Sequence, residues 1–159
     1  MEKEFIQVVN RHAGILYKIC NIYGKEAEDR KDLFQEIVLQ LWIAFPGFRQ
    51  ESAVSTWIYR IGLNTAISNF RHQKRHFFNT DLSDLTFQIP DQGQSSEGIE
   101  DITALHRAIA RLGTIEQAIV MLYLEEKSYE EMAAILGISK TNVGVKLNRI
   151  KYKLQILLK

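Results

Sequence analysis

Apolar residues recur three and four positions apart along most of the chain, which is the spacing of amphipathic α-helices. The pattern predicts one long helix from Phe5 to Tyr23, a second from about Arg30 to Phe45 and a third from near Ser55 to about Arg75. Gly24 would end the first helix, and Pro46-Gly47 would break the second. Strand-like alternation is not sustained anywhere, so the sequence predicts an all-α fold.

The second predicted helix has an unusual polar face. Its core-facing side chains are predicted to be Phe34, Ile37, Val38, Leu41, Trp42 and Phe45. Its opposite face carries Asp32, Glu36, Leu39, Gln40 and Ile43. Acidic and aliphatic side chains together on a face that should be solvated favour a docking surface for a partner with basic and apolar groups. The alternative is an ordinary solvated face, because single exposed Leu and Ile residues are common.

Residues 79–102 are predicted to separate two helical domains. Helical spacing fails from Asn79 to Asp101, and residues 79–103 contain six Asp and Glu but no Lys or Arg. With its proline, glycines and serines, this composition is typical of a flexible acidic linker. The chain is therefore predicted to form two small domains, residues 1–78 and 103–159.

Helical spacing resumes at Ile102 and stops at Gly113. Thr114, followed three residues later by Gln117, predicts a capping box for a helix that runs from Ile115 to Leu124.

The segment from Ser128 to Lys153 has the pattern of a helix-turn-helix. Ser128 with Glu131 predicts a capping box, Gly137 suits a tight turn, and Ser139 can cap a second helix. The positions predicted to face inward are Met132, Ala133, Ile135 and Leu136, then Val143, Leu147, Ile150 and Leu154. Because the turn is short, the two helices must cross, as they do in proteins that place the second helix in the major groove.

The outer face of the second helix has the chemistry for DNA. Its residues are Thr141, Asn142, Val145, Asn148, Arg149 and Tyr152, flanked by Lys140, Lys146, Lys151 and Lys153. Asn and Arg can make paired hydrogen bonds to adenine and guanine edges, and Lys can neutralise phosphates. The alternative is the solvated face of an ordinary three-helix bundle. Caps, turn and basic face fall in one register, which favours DNA binding.

The third predicted helix and the loop before it mix aromatic and basic residues. They are Phe48, Arg49, Trp57, Tyr59, Arg60, Asn64, Phe70, Arg71, Lys74 and Arg75. This mixture suits single-stranded nucleic acid, whose bases stack on rings while cations follow the phosphates. The alternative is that Trp57 and Phe70 are core residues, which we favour for Phe70. The polar loop of residues 48–55 could then hold an unstacked base.

The net charge of +1 conceals an uneven distribution. Residues 1–78 carry 11 Lys and Arg against 8 Asp and Glu, and residues 104–159 carry 9 against 5. Cys20 is the single cysteine and lies in a helical apolar pattern, so a buried apolar role is expected. The first residues do not resemble a signal peptide, and the longest apolar run, Ala118 to Leu124, is too short to span a bilayer. A cytoplasmic protein is expected.

Three segments resemble the extracytoplasmic-function sigma factors of bacterial RNA polymerase. Asp32 to Trp42, D-L-F-Q-E-I-V-L-Q-L-W, is similar to the family's segment that docks on the clamp helices of the polymerase β′ subunit. Phe48 to Ala66, F-R-Q-E-S-A-V-S-T-W-I-Y-R-I-G-L-N-T-A, is similar to its promoter-melting and -10 element segment. Leu124 to Lys153 resembles the module that reads the -35 element and meets the β flap.

The resemblance implies roles for individual residues. Those implied to bind polymerase are Asp32, Gln35, Glu36 and Leu39. Those implied to bind or melt the -10 element are Phe48, Arg49, Ser52, Thr56, Trp57, Arg60, Asn64 and Ser68, with residues 49–55 forming a loop around a flipped non-template base. Those implied to read the -35 element are Lys140, Thr141, Asn142, Val145, Lys146, Asn148 and Arg149. The family often has a basic residue at Gly144 and a small polar one at Val145, so base readout is expected to depend on Asn142, Asn148 and Arg149.

By this resemblance, the chain would be a dissociable polymerase subunit that directs promoter recognition, promoter opening and transcription initiation. Its partners would be core RNA polymerase, promoter DNA and an anti-sigma factor, with no cofactor, metal or small-molecule substrate. The alternative is a free-standing helix-turn-helix regulator that acts without stable polymerase association. An enzyme is not expected, because the sequence shows no paired carboxylates, metal-ligand spacing, nucleophile constellation or phosphate loop.

Overall fold

A computed structural model of the chain describes residues 1–50, 53–77 and 96–158, and for residues 71–77 and 96–100 only the backbone. Every regular element in these ranges is helical, which confirms the predicted all-α class. The chain divides into two compact units, Met1–Asp81 and Leu82–Lys159. Most of the predicted linker lies outside the described residues. The next helix begins at Ser96, earlier than the predicted start at Ile102.

The first unit contains α1 (Glu2–Arg11), α2 (Ala13–Tyr23), α3 (Ala27–Ala44), a short 3₁₀ helix (Phe45–Gly47) and α4 (Val54–Phe77). Helices α2, α3 and α4 pack on one another around a core of Leu16, Ile19, Ile37, Leu41, Ile58 and Leu63. A Cβ atom at Gly62 would lie 2.8 Å from Cδ1 of Ile19, so this glycine allows α4 to approach α2 closely.

The predicted single helix from Phe5 to Tyr23 is wrong, because the chain turns at His12. This residue has φ −111° and ψ 19°, and it separates α1 from α2. The N–H of His12 still donates to the carbonyl oxygen of Val8, at 3.1 Å. The turn interrupts only one residue, so the apolar spacing continues across it and conceals the break. Gly14, a poor helix former, is the local signal.

The core stripe predicted for α3 is only partly correct. Ile37 and Leu41 are buried, and so is Leu33, whereas Phe34 and Val38 are half-buried and Trp42 is 41% exposed. Helix α3 has apolar residues on two adjacent faces, and its packing on α2 and α4 covers mainly one of them. Trp42 is therefore a surface residue.

The second unit contains α5 (Ser96–Ala110), α6 (Thr114–Leu124), α7 (Tyr129–Leu136) and α8 (Lys140–Leu157). Helix α8 packs on α5, α6 and α7 around a core of Ile119, Leu122, Met132, Ile135, Val143, Leu147 and Ile150. No helix in the described parts of either unit is long and apolar enough to cross a membrane.

Local signals set the turn between α7 and α8 as predicted. Oγ of Ser128 accepts the N–H of Glu131 at 3.1 Å, and Oγ of Ser139 accepts the N–H of Asn142 at 3.0 Å. Gly137 ends α7 in the left-handed conformation, at φ 70°. These contacts confirm the predicted helix-turn-helix.

The capping box predicted at Thr114 is wrong. Gly113 is the N-cap of α6, and Thr114 is its first helical residue. Nε2 of Gln117 instead donates to the carbonyl oxygens of Leu112 at 3.0 Å and Ala110 at 3.3 Å. The buried amide thus donates to carbonyls at the end of α5 and just beyond it, where a helix no longer supplies its own donors.

Candidate nucleic-acid and partner interfaces

Helix α8 presents a continuous exposed stripe opposite its buried face. Thr141, Asn142, Val145, Asn148 and Arg149 are all exposed, as predicted. The stripe continues to Tyr152, which is 66% exposed. It extends over roughly 16 Å, at 1.5 Å per residue. An exposed stripe with these side chains has the length and hydrogen-bonding groups for a helix that lies in a major groove.

Two lysines beside the stripe make ion pairs with other helices. Nζ of Lys140 lies 3.3 Å from Oε1 of Glu130, and Nζ of Lys153 lies 2.7 Å from Oε1 of Glu116. The pair of Lys140 and Glu130 is well exposed, so it contributes little to stability and the lysine can turn to a phosphate. The Glu116 carboxylate is less exposed, so Lys153 serves mainly to hold α8 on α6.

Helix α4 carries a second polar line in the first unit. Arg60, Asn64 and Ser68 are exposed and follow one another four residues apart, so they lie along one helix face. Thr56, one turn earlier, is half-buried. Ser52 lies outside the described residues.

The chain leading into α4 is built on aromatic contacts. Phe48 is half-buried, with its ring centre 4.7 Å from that of Trp57, and Arg49 beside it is exposed. Gln50 has φ 57°, a left-handed conformation that is uncommon outside glycine. Trp57 is only 9% exposed, so the structure places its ring in the core and not on the polar face with Arg60 and Asn64.

The acidic face of α3 adjoins an apolar groove. Asp32 and Gln35 are exposed, and Glu36 accepts a hydrogen bond from Nε2 of Gln40 at 3.1 Å. Leu39 is 49% exposed. The groove is lined by Phe5, Phe34, Gln35, Val38, Leu39 and Trp42. Two of the four predicted docking residues therefore line the groove, and the other two lie on the same helix.

Sequence reasoning missed four groove residues because their positions fit the core-facing period: Phe5, Phe34, Val38 and Trp42. The ring of Phe5 lies 5.0 Å from that of Trp42, so α1 supplies part of the groove. The available signal was the number of apolar residues on α3, which exceeds what one buried stripe requires.

Cys20 belongs to the core, as predicted. It is 2% exposed, and burial raises the pKa of its thiol to about 11, with the Arg30 guanidinium opposing that shift. Burial also raises the pKa of Tyr23 above its usual range. A thiol with a raised pKa is a poor nucleophile near neutral pH. Across the described parts of the chain, no group of three or more His, Cys, Asp or Glu could hold a metal ion.

Two family profiles match the chain, one on each unit. Sigma-70 region 2 matches residues 8–76, and Sigma-70 region 4 matches residues 102–154. The first range includes α3 and most of α4, and the second includes the helix-turn-helix.

The curated relatives are sigma factors, and the alignments cover most of their length. The RNA polymerase sigma factor YlaC of Bacillus subtilis is 31% identical over 134 residues, which cover 80% of this chain and 76% of YlaC. The ECF RNA polymerase sigma factor SigM of Mycobacterium tuberculosis is 28% identical over 156 residues, covering 97% of this chain and 76% of SigM.

Solved structures of sigma factors share the fold. The sigma factor RpoE, in complex with the anti-sigma factor NepR from Bartonella quintana, aligns with a TM-score of 0.72 at 21% identity, covering 99% of this chain and 95% of RpoE. CnrH, in complex with the cytosolic domain of CnrY, aligns with a TM-score of 0.70 at 23% identity, covering 99% of this chain and 89% of CnrH. With two region profiles, and with relatives matched over most of their length, the chain belongs to the extracytoplasmic-function type of the RNA polymerase sigma factor family.

Proposed function

We propose that this sigma factor binds core RNA polymerase and directs promoter recognition, promoter opening and the start of DNA-templated transcription. The observation that carries the proposal is the presence, in one chain, of an exposed Asn and Arg stripe on a helix-turn-helix and an acidic and apolar docking face on α3. A free-standing regulator needs the first surface but has no use for the second. The family is not an enzyme family, and the proposed role is binding and not catalysis.

The -35 element is proposed to lie against α8. Asn142, Asn148 and Arg149 are exposed and can pair with base edges, while Lys140 and Lys146 can contact phosphates. Thr141 begins the stripe, and Val145 can contact a thymine methyl group. The positive dipole end at the start of α8 would further favour a phosphate of the DNA backbone.

The -10 element is proposed to be opened and held by the first unit. Its non-template strand would follow Arg60, Asn64 and Ser68 along α4, with an unstacked base held by the loop that starts at Arg49. Exposed polar groups spaced along one helix face suit a single strand better than a base-paired groove.

The polymerase is proposed to dock on α3. Asp32 and Glu36 would meet basic residues of the β′ clamp helices, and Leu39 with the adjoining groove would receive an apolar side chain. Ile43, on the same predicted face, is 63% exposed. An exposed apolar surface beside acids is costly to leave in water and is typical of a protein interface. The second unit would meet the β flap.

An anti-sigma factor is a further proposed partner, and the cytoplasm, where the polymerase works, is the proposed location. Support for the partner comes from two structural relatives: RpoE, solved with the anti-sigma factor NepR, and CnrH, solved with the cytosolic domain of CnrY.

The test is co-purification with core RNA polymerase, followed by run-off transcription from a genomic DNA library with and without the protein. Transcripts that appear only with the protein would support the proposal and would identify the promoter sequence. Retained affinity for duplex DNA without any polymerase binding would instead support the free-standing regulator. Arg149→Ala serves as a variant that should bind polymerase normally but transcribe poorly.

A further inference from the structure

Phe48 and Trp57 stand at the two ends of the loop that precedes and enters α4. Phe48 follows the 3₁₀ helix, and Trp57 lies in the first turn of α4. Their ring centres are 4.7 Å apart with the planes tilted by 35°. An offset contact between rings at this distance is attractive beyond the area that it buries. The ring pair therefore joins Phe48 to the first turn of α4.

Other aromatic residues also pack on Trp57 and hold it in place. The ring of Phe45 lies 6.2 Å from that of Trp57 and 5.4 Å from that of Phe5, which in turn contacts Trp42. Trp57 is 9% exposed, whereas Phe48 is half-buried. The tryptophan is therefore the fixed partner of the pair, and Phe48 is the partner whose position depends on it.

The backbone just after Phe48 has an unusual conformation at Gln50. Gln50, two residues after Phe48, has φ 57°, which side chains other than glycine adopt at a cost. Such a conformation persists only where the surrounding structure determines it. The ring pair supplies one such constraint, because it fixes the chain just before Gln50.

We propose that Trp57 is a positioning residue that packs on Phe48 and so holds Phe48, Arg49 and Gln50 in place to bind an unstacked base, and that its own ring does not enter the DNA. This inference rests on the proposed function, since it assigns the loop a single-stranded base as its ligand. It replaces the expected role of Trp57 as a residue that separates the strands. Phe48 becomes a residue that acts with it.

The test uses the complex of the protein with core polymerase and a labelled single-stranded oligonucleotide that carries the non-template -10 sequence from the run-off experiment. Fluorescence anisotropy gives the oligonucleotide affinity of wild type, Trp57→Ala, Phe48→Ala and the double variant. Each single change should weaken binding about three- to tenfold, the size of an aromatic pair. The double variant should bind about as tightly as the single variant with the lower affinity, because each single change already removes the contact between Phe48 and Trp57.

Trp57→Phe is the matched variant, because it keeps a ring that can stack on Phe48 and preserves the core. It should bind the oligonucleotide within about twofold of wild type, while Trp57→Leu, which is apolar but has no ring, should not. Equal polymerase affinity for both variants would confirm that the difference lies in the loop.

A strand-separating tryptophan gives a different pattern. Trp57→Ala would then bind the single-stranded oligonucleotide normally. It would fail to start transcription on duplex promoters but would do so fully on a template with a pre-opened bubble. Phe48→Ala would have no effect. That pattern would overturn the inference while leaving the proposed function intact. Absence of polymerase-dependent oligonucleotide binding by wild type would overturn the proposed function itself.

Discussion

At the residue scale, Arg149 is the side chain on which base recognition should depend most. It is exposed on the α8 stripe, next to Asn148. Replacing it with Ala should weaken -35 binding by about 1–3 kcal/mol and relax the base preference at one position, because a paired contact to a guanine edge is lost. Competition binding against all single-base variants of the element measures both effects.

Lys146→Ala is the matched comparison for this prediction. A phosphate contact carries no sequence information, so its loss should weaken binding to all sequences alike and lower the salt dependence. If Arg149→Ala behaved in this way too, Arg149 would be a phosphate contact and the base-reading role would pass to its Asn neighbours.

Cys20 makes the first unit sensitive to alkaline pH. Its thiol has a pKa of about 11 in the fold against an ordinary value of 9.0, so the folded state favours the protonated form. The associated stability is complete below about pH 9 and is lost as the pH rises towards 11, since the unfolded chain releases the proton first. Urea unfolding of wild type and Cys20→Ala across this range should show a shallower loss in the variant.

At the scale of elements, the turn between α7 and α8 offers a test with an internal control. Gly137→Ala should destabilise the second unit by about 1–2 kcal/mol, because Ala at φ 70° is strained. Gly144→Ala should stabilise it by about 0.5–1 kcal/mol, because Gly144 is inside α8 and a Cβ there would lie an ordinary 3.6 Å from Cε2 of Tyr129. Thermal unfolding followed by circular dichroism measures both. Equal effects would contradict the assigned turn.

Elements whose signals are local could be predicted from the sequence. Ser128, Gly137 and Ser139 each act on backbone groups within four residues, and all three behave as predicted. The break at His12 was missed because a turn of one residue leaves the apolar period intact. Gln117 was misassigned because its side-chain amide donates to carbonyls near the end of α5 and does not cap the N–H groups of α6. Both sets of backbone groups are close in sequence, so only the folded chain shows which set the amide contacts.

Contacts between distant elements could not be predicted. The period of α3 shows that it has an apolar surface, but which part α2 and α4 cover depends on packing, and Trp42 was placed on the wrong side. The contact between Phe48 and Trp57 likewise joins residues nine positions apart, a spacing that no local signal in the sequence reports. The residue sets for the docking face and for both DNA elements stay predictions, since their test is the partner itself.

At the scale of the whole molecule, polymerase binding should depend on the acidic face of α3. Asp32→Ala combined with Glu36→Ala should abolish co-purification with core polymerase while circular dichroism shows an intact fold. Asp32 is exposed, and Glu36 accepts a hydrogen bond from Gln40 within its own helix, so the fold should tolerate both changes. The loss would come from the interface, where acids removed from a complementary surface cost affinity.

Glu2→Ala with Glu4→Ala provides the control of equal charge. Both residues are exposed on α1, so the pair changes the net charge of the first unit by the same amount. It should leave polymerase binding nearly unchanged. Similar losses in the two double variants would indicate a general electrostatic effect and would remove α3 from the proposed interface.

The two tryptophans of the chain occupy contrasting surroundings, so intrinsic fluorescence can report on partner binding to the first unit. Trp57 is 9% exposed among other rings, whereas Trp42 is 41% exposed in the groove beside Leu39. Indole emission shifts to shorter wavelength when water is removed, so a partner that covers the groove should shift the Trp42 component and leave that of Trp57 in place. Docking on α3 can therefore be followed in real time without attaching a dye.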